Sequence, residues 1–217
     1  FVTQSFKILK NHPVNIKRIE EGKRPANIIL PRGAGTIPPF APLRELYGLD
    51  VACIAAVALV KGVCRVAGAE LVPVEGATGG LDTNYEGKAY AALKTLENHD
   101  LVILHVKATD VASHDGDFKK KASVIEEIDS AVGRILPSLD DGSTYVIVTA
   151  DHSTPVSVRD HSGNPVPLLI NGPGVPRSNL SKFSENAAAR GNLGRLHGLD
   201  LMPVIADYLG TAKKFGF

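Results

Sequence analysis

Short apolar, β-branched runs alternate along this chain with stretches of helical periodicity, and that alternation limits the fold more than any single motif. ANIIL (26–30), GLDVACIAA (48–56), AELVPV (69–74), DLVILHV (100–106) and STYVIVTA (143–150) read as strands, and PVPLLI (165–170) is a further apolar run. Most are apolar throughout, as strands buried on both faces are. Between them, LVKGVCRVAG (59–68) sets Val63, Val66 and Ala67 at helical spacing, and YEGKAYAALKTLENH (85–99) is built of good helix formers. KKASVIEEIDSAVGRIL (120–136) puts Val124, Ile128, Val132 and Ile135 on one face. An amphipathic opening, Phe1 to Lys10, is stopped by Pro13; a polar loop follows DLVILHV, and a last helix covers LDLMPVIADYLG (199–210). Strands interleaved with helices predict an α/β fold: a doubly wound, mostly parallel sheet with helices on both faces. With 217 residues, the chain can bury one sizeable core and carry part of a second unit.

Charge narrows the partners. The 24 basic and 23 acidic residues are interspersed and sum to +1, which leaves no electrostatic footprint for nucleic acid or a membrane surface. A small-molecule partner is expected. The two cysteines, Cys53 and Cys64, sit in apolar surroundings, which suggests two core thiols in a reducing, cytoplasmic compartment. The longest apolar run, VACIAAVALV (51–60), is too short to span a bilayer. The chain opens on FVTQSFKILK without an initiator methionine, and its single Met is Met202, so a longer parent protein and a trimmed terminus are both open readings.

Parallel sheets carry their chemistry at the carboxyl ends of the strands. Two such ends are rich in metal-ligand types. DLVILHV runs into KATDVASHDGD, where Asp110 and His114 stand at i,i+4 and face one point if the backbone turns helically. STYVIVTA runs into DHSTPVSVRDH, which supplies Asp151, His152 and His161. Carboxylate oxygen and imidazole nitrogen suit Zn²⁺, Mn²⁺ and related ions, and five such groups suffice for one metal and part of a second. Either motif alone more often marks a solvated helix face or a capped strand end. Two at successive strand ends reinforce each other, because charge at the end of a core strand is costly without a compensating partner.

TADHSTPVSVRDHSGNPVP, HVKATDVASHDGD and ANIILPRGAG together resemble the archaeal-type 2,3-bisphosphoglycerate-independent phosphoglycerate mutases of the alkaline phosphatase superfamily. The likeness runs from about His12 to Phe217, with the RGAG, VKG and GATGGLDT segments pointing to the mutases in particular. It implies an alkaline phosphatase-like core, residues 48–217, with part of a smaller inserted α/β domain, residues 1–47. It also implies two divalent ions, Mn²⁺ first and Zn²⁺, Co²⁺ or Mg²⁺ as alternatives. Asp110, His114 and His161 would hold one, and Asp151 with His152 the other. The family's nucleophilic Ser and a further Asp ligand are expected upstream of Phe1. Ser113 and Ser153 adjoin ligands and Thr154 is close to one, but on these motifs the family uses the neighbouring residues for coordination, so an internal hydroxyl is the lesser alternative for the nucleophile.

The reaction implied is interconversion of 2- and 3-phosphoglycerate through a phosphoserine, in glycolysis and gluconeogenesis. Such a site needs cationic donors for carboxylate and phosphate. Arg32, which ends ANIILPR ahead of GAG, and Lys61, which follows an apolar run, are the candidates, at positions where the resemblance puts the family's substrate-binding basic residues, against a solvated strand-end Arg and a surface Lys. Lys107 and His105 flank the first metal loop, with His105 pointing either toward the site as a supporting group or into the core. VEGATGGLDT (74–83) is not a phosphate loop of the Walker type, because no lysine occupies the required place. A superfamily phosphatase or phosphopentomutase would use the same five ligands with other anion donors, and a metal-binding module without turnover is the non-enzymatic alternative. The sequence leaves homo-oligomerisation open.

Overall fold

The computed structural model describes residues 1–33, 35–36 and 39–213. The chain forms two compact units, Phe1–Pro39 and Phe40–Phe217.

The first unit contains helices α1 (Val2–Leu9) and α2 (Pro13–Glu20). Pro13 opens the second helix as well as following the first. Its missing N–H is harmless at the first helical position, and His12 caps the turn by accepting from the Val14 N–H at 3.3 Å. ANIIL, expected as a strand, joins no sheet among the described residues. Side chains take the part of a neighbouring strand instead. The buried Asn15 accepts from the Ala26 N–H (2.9 Å) and donates to the Ala26 and Leu9 carbonyls (3.1 and 2.8 Å), while Ser5 Oγ accepts from the Ile29 N–H at 3.1 Å. Arg32 follows as an exposed residue without regular structure. Ala34 of the RGAG segment lies outside the described residues.

The second unit begins with α3 (Leu43–Tyr47) and continues β1 (Val51–Ile54), α4 (Ala58–Val66), β2 (Glu70–Leu71), α5 (Tyr85–Leu96), β3 (Leu101–Leu104). The three strands form a parallel sheet in the order β2-β1-β3, with Ala52 opposite Glu70 on one side and Val102 on the other. Every β1 residue is buried, which is why VACI carries no polar alternation. Val51, Cys53 and Cys64 form one core with Leu49, Ala55 and Ala69, and Met202 from the last helix and Leu209 just after it pack against it. A fully buried Val or Leu in such a core contributes roughly 1.5–3 kcal/mol. The Cys53 thiol is pushed up to about 12, by burial first and then by its neighbour Cys64, so it behaves as an inert apolar group.

After β3 the chain does not loop out, as its polar composition suggests, but turns into helix α6 (Ala108–His114). Ala108, Ala112 and Ser113 on α6 are buried, and the helix packs on α7 (Phe118–Leu139). Asp117 caps α7 by accepting from the Lys120 N–H at 3.0 Å. The next strand, β4 (Val146–Val148), was expected in the parallel sheet. It pairs antiparallel with β5 (Leu169–Asn171), and among the described residues no ladder joins this pair to β1–β3. A parallel neighbour requires a crossover element, whereas the segment after β4 folds back on itself through a bridge between Ser153 and Ser162. Short helix α8 (Glu185–Ala188), a 3₁₀ turn at Gly198–Asp200 and α9 (Leu201–Tyr208) complete the unit. No helix among the described residues is long and apolar enough to cross a membrane.

Candidate metal centre

Two pieces of backbone build the centre. The first is α6, whose one-turn spacing stacks Asp110 beneath His114, with Asp110 Oδ1 and His114 Nε2 3.4 Å apart. The helix ends in a Schellman turn, with Asp117 N–H donating to Ala112 O and Gly116 N–H to Ser113 O, and Gly116 takes the left-handed conformation (φ 73°) that the turn requires. The second is the loop after β4. Asp151 accepts from the His152 N–H (3.1 Å) and Asp160 from the His161 N–H (2.8 Å), and the Ser153–Ser162 bridge draws the two histidines together until their rings stack at 3.9 Å between centroids.

Where the pieces meet, Asp110 Oδ1, His114 Nε2 and His161 Nε2 form a triangle with every side 3.4 Å. Ligands about 2.1 Å from a tetrahedral ion stand roughly 3.4 Å from one another, so the donor set and its spacing fit one face of such a site. His152 lies close to the same oxygen, with Nε2 3.9 Å from Asp110 Oδ1, and offers with Asp110 and His161 a second, overlapping group of ligand atoms within 4.8 Å of one another. The exposed Asp151 reaches His152 Nε2 with Oδ2 at 3.5 Å. All five ligand residues named from the sequence therefore lie in one patch, with Asp110 as the vertex that the groups share.

The electrostatics favour an ionised ligand at that vertex. Burial would raise the Asp110 carboxyl. Hydrogen bonds from Lys107 (Nζ to Oδ2, 2.5 Å) and Thr154 (Oγ1 to Oδ1, 2.7 Å), with the charges of Lys107 and His114, outweigh it and hold the group at about 2. Thr154 is buried, and its Oγ1 also lies 3.1 Å from His152 Nδ1, so one hydroxyl ties both pieces of the centre together. Lys121 in turn donates to the Thr154 carbonyl at 3.0 Å. No feature of the sequence marks Thr154 for this part, since its partner Asp110 is 44 residues distant.

Other residues fall as follows. Ser113 is fully buried and donates to Thr109 O at 2.9 Å, which turns its hydroxyl into its own helix. Lys61 is half-buried within the first turn of α4, and Arg32 belongs to the other unit. His105 continues β3 by donating its N–H to Ile54 O at 2.9 Å, while its Nδ1 is buried without a hydrogen-bond partner. Burial, ahead of any charge, lowers the pKa of that imidazole; Asp151 opposes the shift, and Lys88, Lys107 and His152 add to it. Lys88, fully buried on α5 and likewise lowered by burial, donates to the His105 carbonyl at 3.3 Å. A lysine within a good helix-forming segment gives no sign of burial in sequence.

Residues 10–208 match the metalloenzyme superfamily. Among curated relatives, the 2,3-bisphosphoglycerate-independent phosphoglycerate mutase 1 of Archaeoglobus fulgidus is 46% identical over 216 residues, covering 100% of this chain and 53% of that protein. The chain spans about half the length of the curated relatives it matches. Among solved structures, a protein from Pyrococcus horikoshii aligns over 100% of this chain and 57% of its own with a TM-score of 0.91 and 43% identity. The cofactor-independent phosphoglycerate mutase from Thermoplasma acidophilum aligns over 96% of this chain and 50% of its own, with a TM-score of 0.65 and 29% identity. The parallel sheet flanked by helices, the convergent aspartate and histidines and the match across residues 10–208 lead to one assignment: the chain belongs to the metalloenzyme superfamily.

Proposed function

We propose that the gene product carrying this chain is a 2,3-bisphosphoglycerate-independent phosphoglycerate mutase that interconverts 2- and 3-phosphoglycerate through a phosphoserine. The observation that carries this reading is the 3.4 Å triangle of Asp110, His114 and His161 on a chain whose matched relatives bear that name. On this reading the three residues hold one divalent ion, Asp151 and His152 contribute to a second, and Mn²⁺ is the ion, with Zn²⁺, Co²⁺ and Mg²⁺ as the alternatives. When bound, such ions supply Lewis-acid stabilisation of phosphoryl oxygens. The protein's own groups prepare the site. Lys107 and Thr154 keep Asp110 ionised, and the half-buried His105, whose imidazole is shifted toward its neutral form by burial, lies within electrostatic reach of Asp151 and His152. Lys61 and Arg32 serve as cationic donors for the substrate's phosphate and carboxylate. Residues 1–47 belong on this reading to a smaller substrate-binding domain and residues 48–217 to the metal-binding core of a cytoplasmic enzyme.

The test is product analysis. The Mn²⁺-loaded gene product, given 3-phosphoglycerate without any bisphosphoglycerate, should feed an enolase-coupled assay; release of inorganic phosphate instead would make it a phosphatase, and metal binding without turnover would make it a binding module. Arg32→Ala and Lys61→Ala should each remove charge-assisted hydrogen bonds of roughly 1.5–3 kcal/mol from substrate binding while leaving metal content intact. Unchanged kinetics in either variant would refute that residue's role.

A further inference from the structure

Among the described residues, Arg159 is the one non-glycine with a positive φ, 57°. A residue other than Gly, Asn or Asp rarely occupies this region, because its Cβ crowds the backbone. The chain reaches it through a turn in which Val158 and Arg159 both donate to the Pro155 carbonyl, each at 3.0 Å. Immediately beyond lie Asp160 and the ligand histidine His161.

Both ends of Arg159 engage the C-terminus of α6. Its carbonyl lies 2.9 Å from His114 Nδ1. A carbonyl can only accept, so Nδ1 carries the hydrogen; in the neutral form of the ring Nε2, 3.4 Å from both Asp110 Oδ1 and His161 Nε2, is then the nitrogen left bare for an ion. Its guanidinium lies over Gly116, where a Cβ would meet Cζ at 2.6 Å and Nη2 at 2.8 Å. Gly116 thus serves the Schellman turn and also leaves the seat on which the arginine rests.

We propose that Arg159 is a positioning residue: its left-handed backbone aims the carbonyl that fixes the His114 tautomer, so that Nε2 is presented to the ion-binding triangle. Metal-binding histidines commonly depend on such an acceptor at the other ring nitrogen, and loss of it typically costs about 10- to 100-fold in metal affinity. The inference rests on the reading of Asp110, His114 and His161 as ligands of one ion, but the tautomer is a property of the metal-free protein and can be read separately. Backbone conformation is the operative feature, so the substitution that matters is one that changes φ. Asn tolerates the left-handed region, whereas a β-branched residue is a severe outlier there.

The experiment has two arms. In the metal-free gene product at pH 8.5, ¹⁵N NMR of the imidazoles should show His114 protonated at Nδ1 in the wild type and in Arg159→Asn, and a loss of that preference in Arg159→Val. Calorimetric titration with Mn²⁺ should then give Arg159→Asn within about threefold of wild type and Arg159→Val weaker by about 10- to 100-fold. A wild-type His114 protonated at Nε2 would overturn the proposal, and so would equal losses in the Asn and Val variants. Should Arg159→Val fail to fold, the wild-type tautomer and the Arg159→Asn affinity still decide. Absence of Mn²⁺ binding by the wild type, with the Nδ1 tautomer present, would instead overturn the reading of the triangle as a metal site.

Discussion

The two halves of the candidate metal centre are built on different principles. Asp110 and His114 ride on α6, where the helical repeat alone places their ligand atoms 3.4 Å apart. His152 and His161 ride on an irregular loop, where nothing in local geometry brings them together; the Ser153–Ser162 bridge, the turn at Pro155 and the left-handed Arg159 do so. The helix-borne half is determined by sequence spacing, and the loop-borne half by contacts that close only after folding. The loop half should therefore be the more sensitive to substitutions that touch no ligand, and the helix half the more sensitive to loss of the ligand itself.

The most damaging single change should be Asp110→Asn, because Asp110 Oδ1 is the atom that every histidine of the patch approaches. It removes a charged ligand and leaves Lys107 without its partner, so Mn²⁺ affinity should fall beyond the roughly 100-fold that loss of a supporting partner can cost. Calorimetry showing less than a tenfold loss would mean that the loop half holds the ion without the helix. Thr154→Val comes next. It keeps the side-chain shape but deletes the hydroxyl that bonds Asp110 and lies against His152, and about a 10- to 100-fold loss of affinity is expected, together with a rise of the Asp110 pKa from about 2 toward 3.8 in an NMR titration. An unmoved Asp110 would show that Lys107 alone holds the carboxylate.

Acid stability gives a smaller effect with a definite sign. The Asp110 carboxyl sits at about 2 in the folded chain against 3.8 ordinarily, so the unfolded chain binds the proton first. Its contribution to stability is complete above about 3.8 and disappears as pH falls toward 2. The half-buried His105 is lowered from 6.5, so here too the unfolded chain protonates first, and stability should be greatest above 6.5 and decline as pH falls below it. Urea midpoints of the metal-free chain across this range should show the His105 step in the wild type and lose it in His105→Phe; a step that persists would have to be assigned to another group. The smallest effect expected is in Asp117→Ala. It removes the cap of α7 for about 1 kcal/mol in urea unfolding and leaves metal affinity unchanged, since Asp117 touches no ligand. A drop in affinity would show that the α6–α7 turn sets the helix half after all.

Much of the second unit was legible from periodicity because its elements answer to local rules. VACI is apolar throughout since β1 is covered on both faces, and the Val124–Ile135 stripe of α7 reads as a buried helix face because Val124 and Ile135 are buried. The five candidate ligand residues could be singled out because carboxylates and imidazoles at strand ends are costly without a purpose, and the structure brings them into one patch. ANIIL misleads because β-branched residues record a preference for extended backbone but do not say whether a partner is another strand or the Asn15 amide. The segment after β3 misleads in the opposite way. Its polar residues look like a loop, yet Ala108, Ala112 and Ser113 supply a buried stripe on a single short helix.

By itself, then, the sequence determined the alternation of strands and helices, the two core cysteines, and the helical step from Asp110 to His114, all of which depend on residues within a turn or two of each other. Tertiary structure alone decided that β4 would turn back to pair antiparallel with β5, that the Thr154 hydroxyl would reach Asp110 across 44 residues, and that the Arg159 carbonyl would meet His114 across 45. The physical reason is that a hydrogen bond between distant residues adds no periodicity to the chain. It requires only that one donor and one acceptor arrive together, and that arrival is set by the packing of α6, α7 and the loop after β4 rather than by any pattern along the sequence.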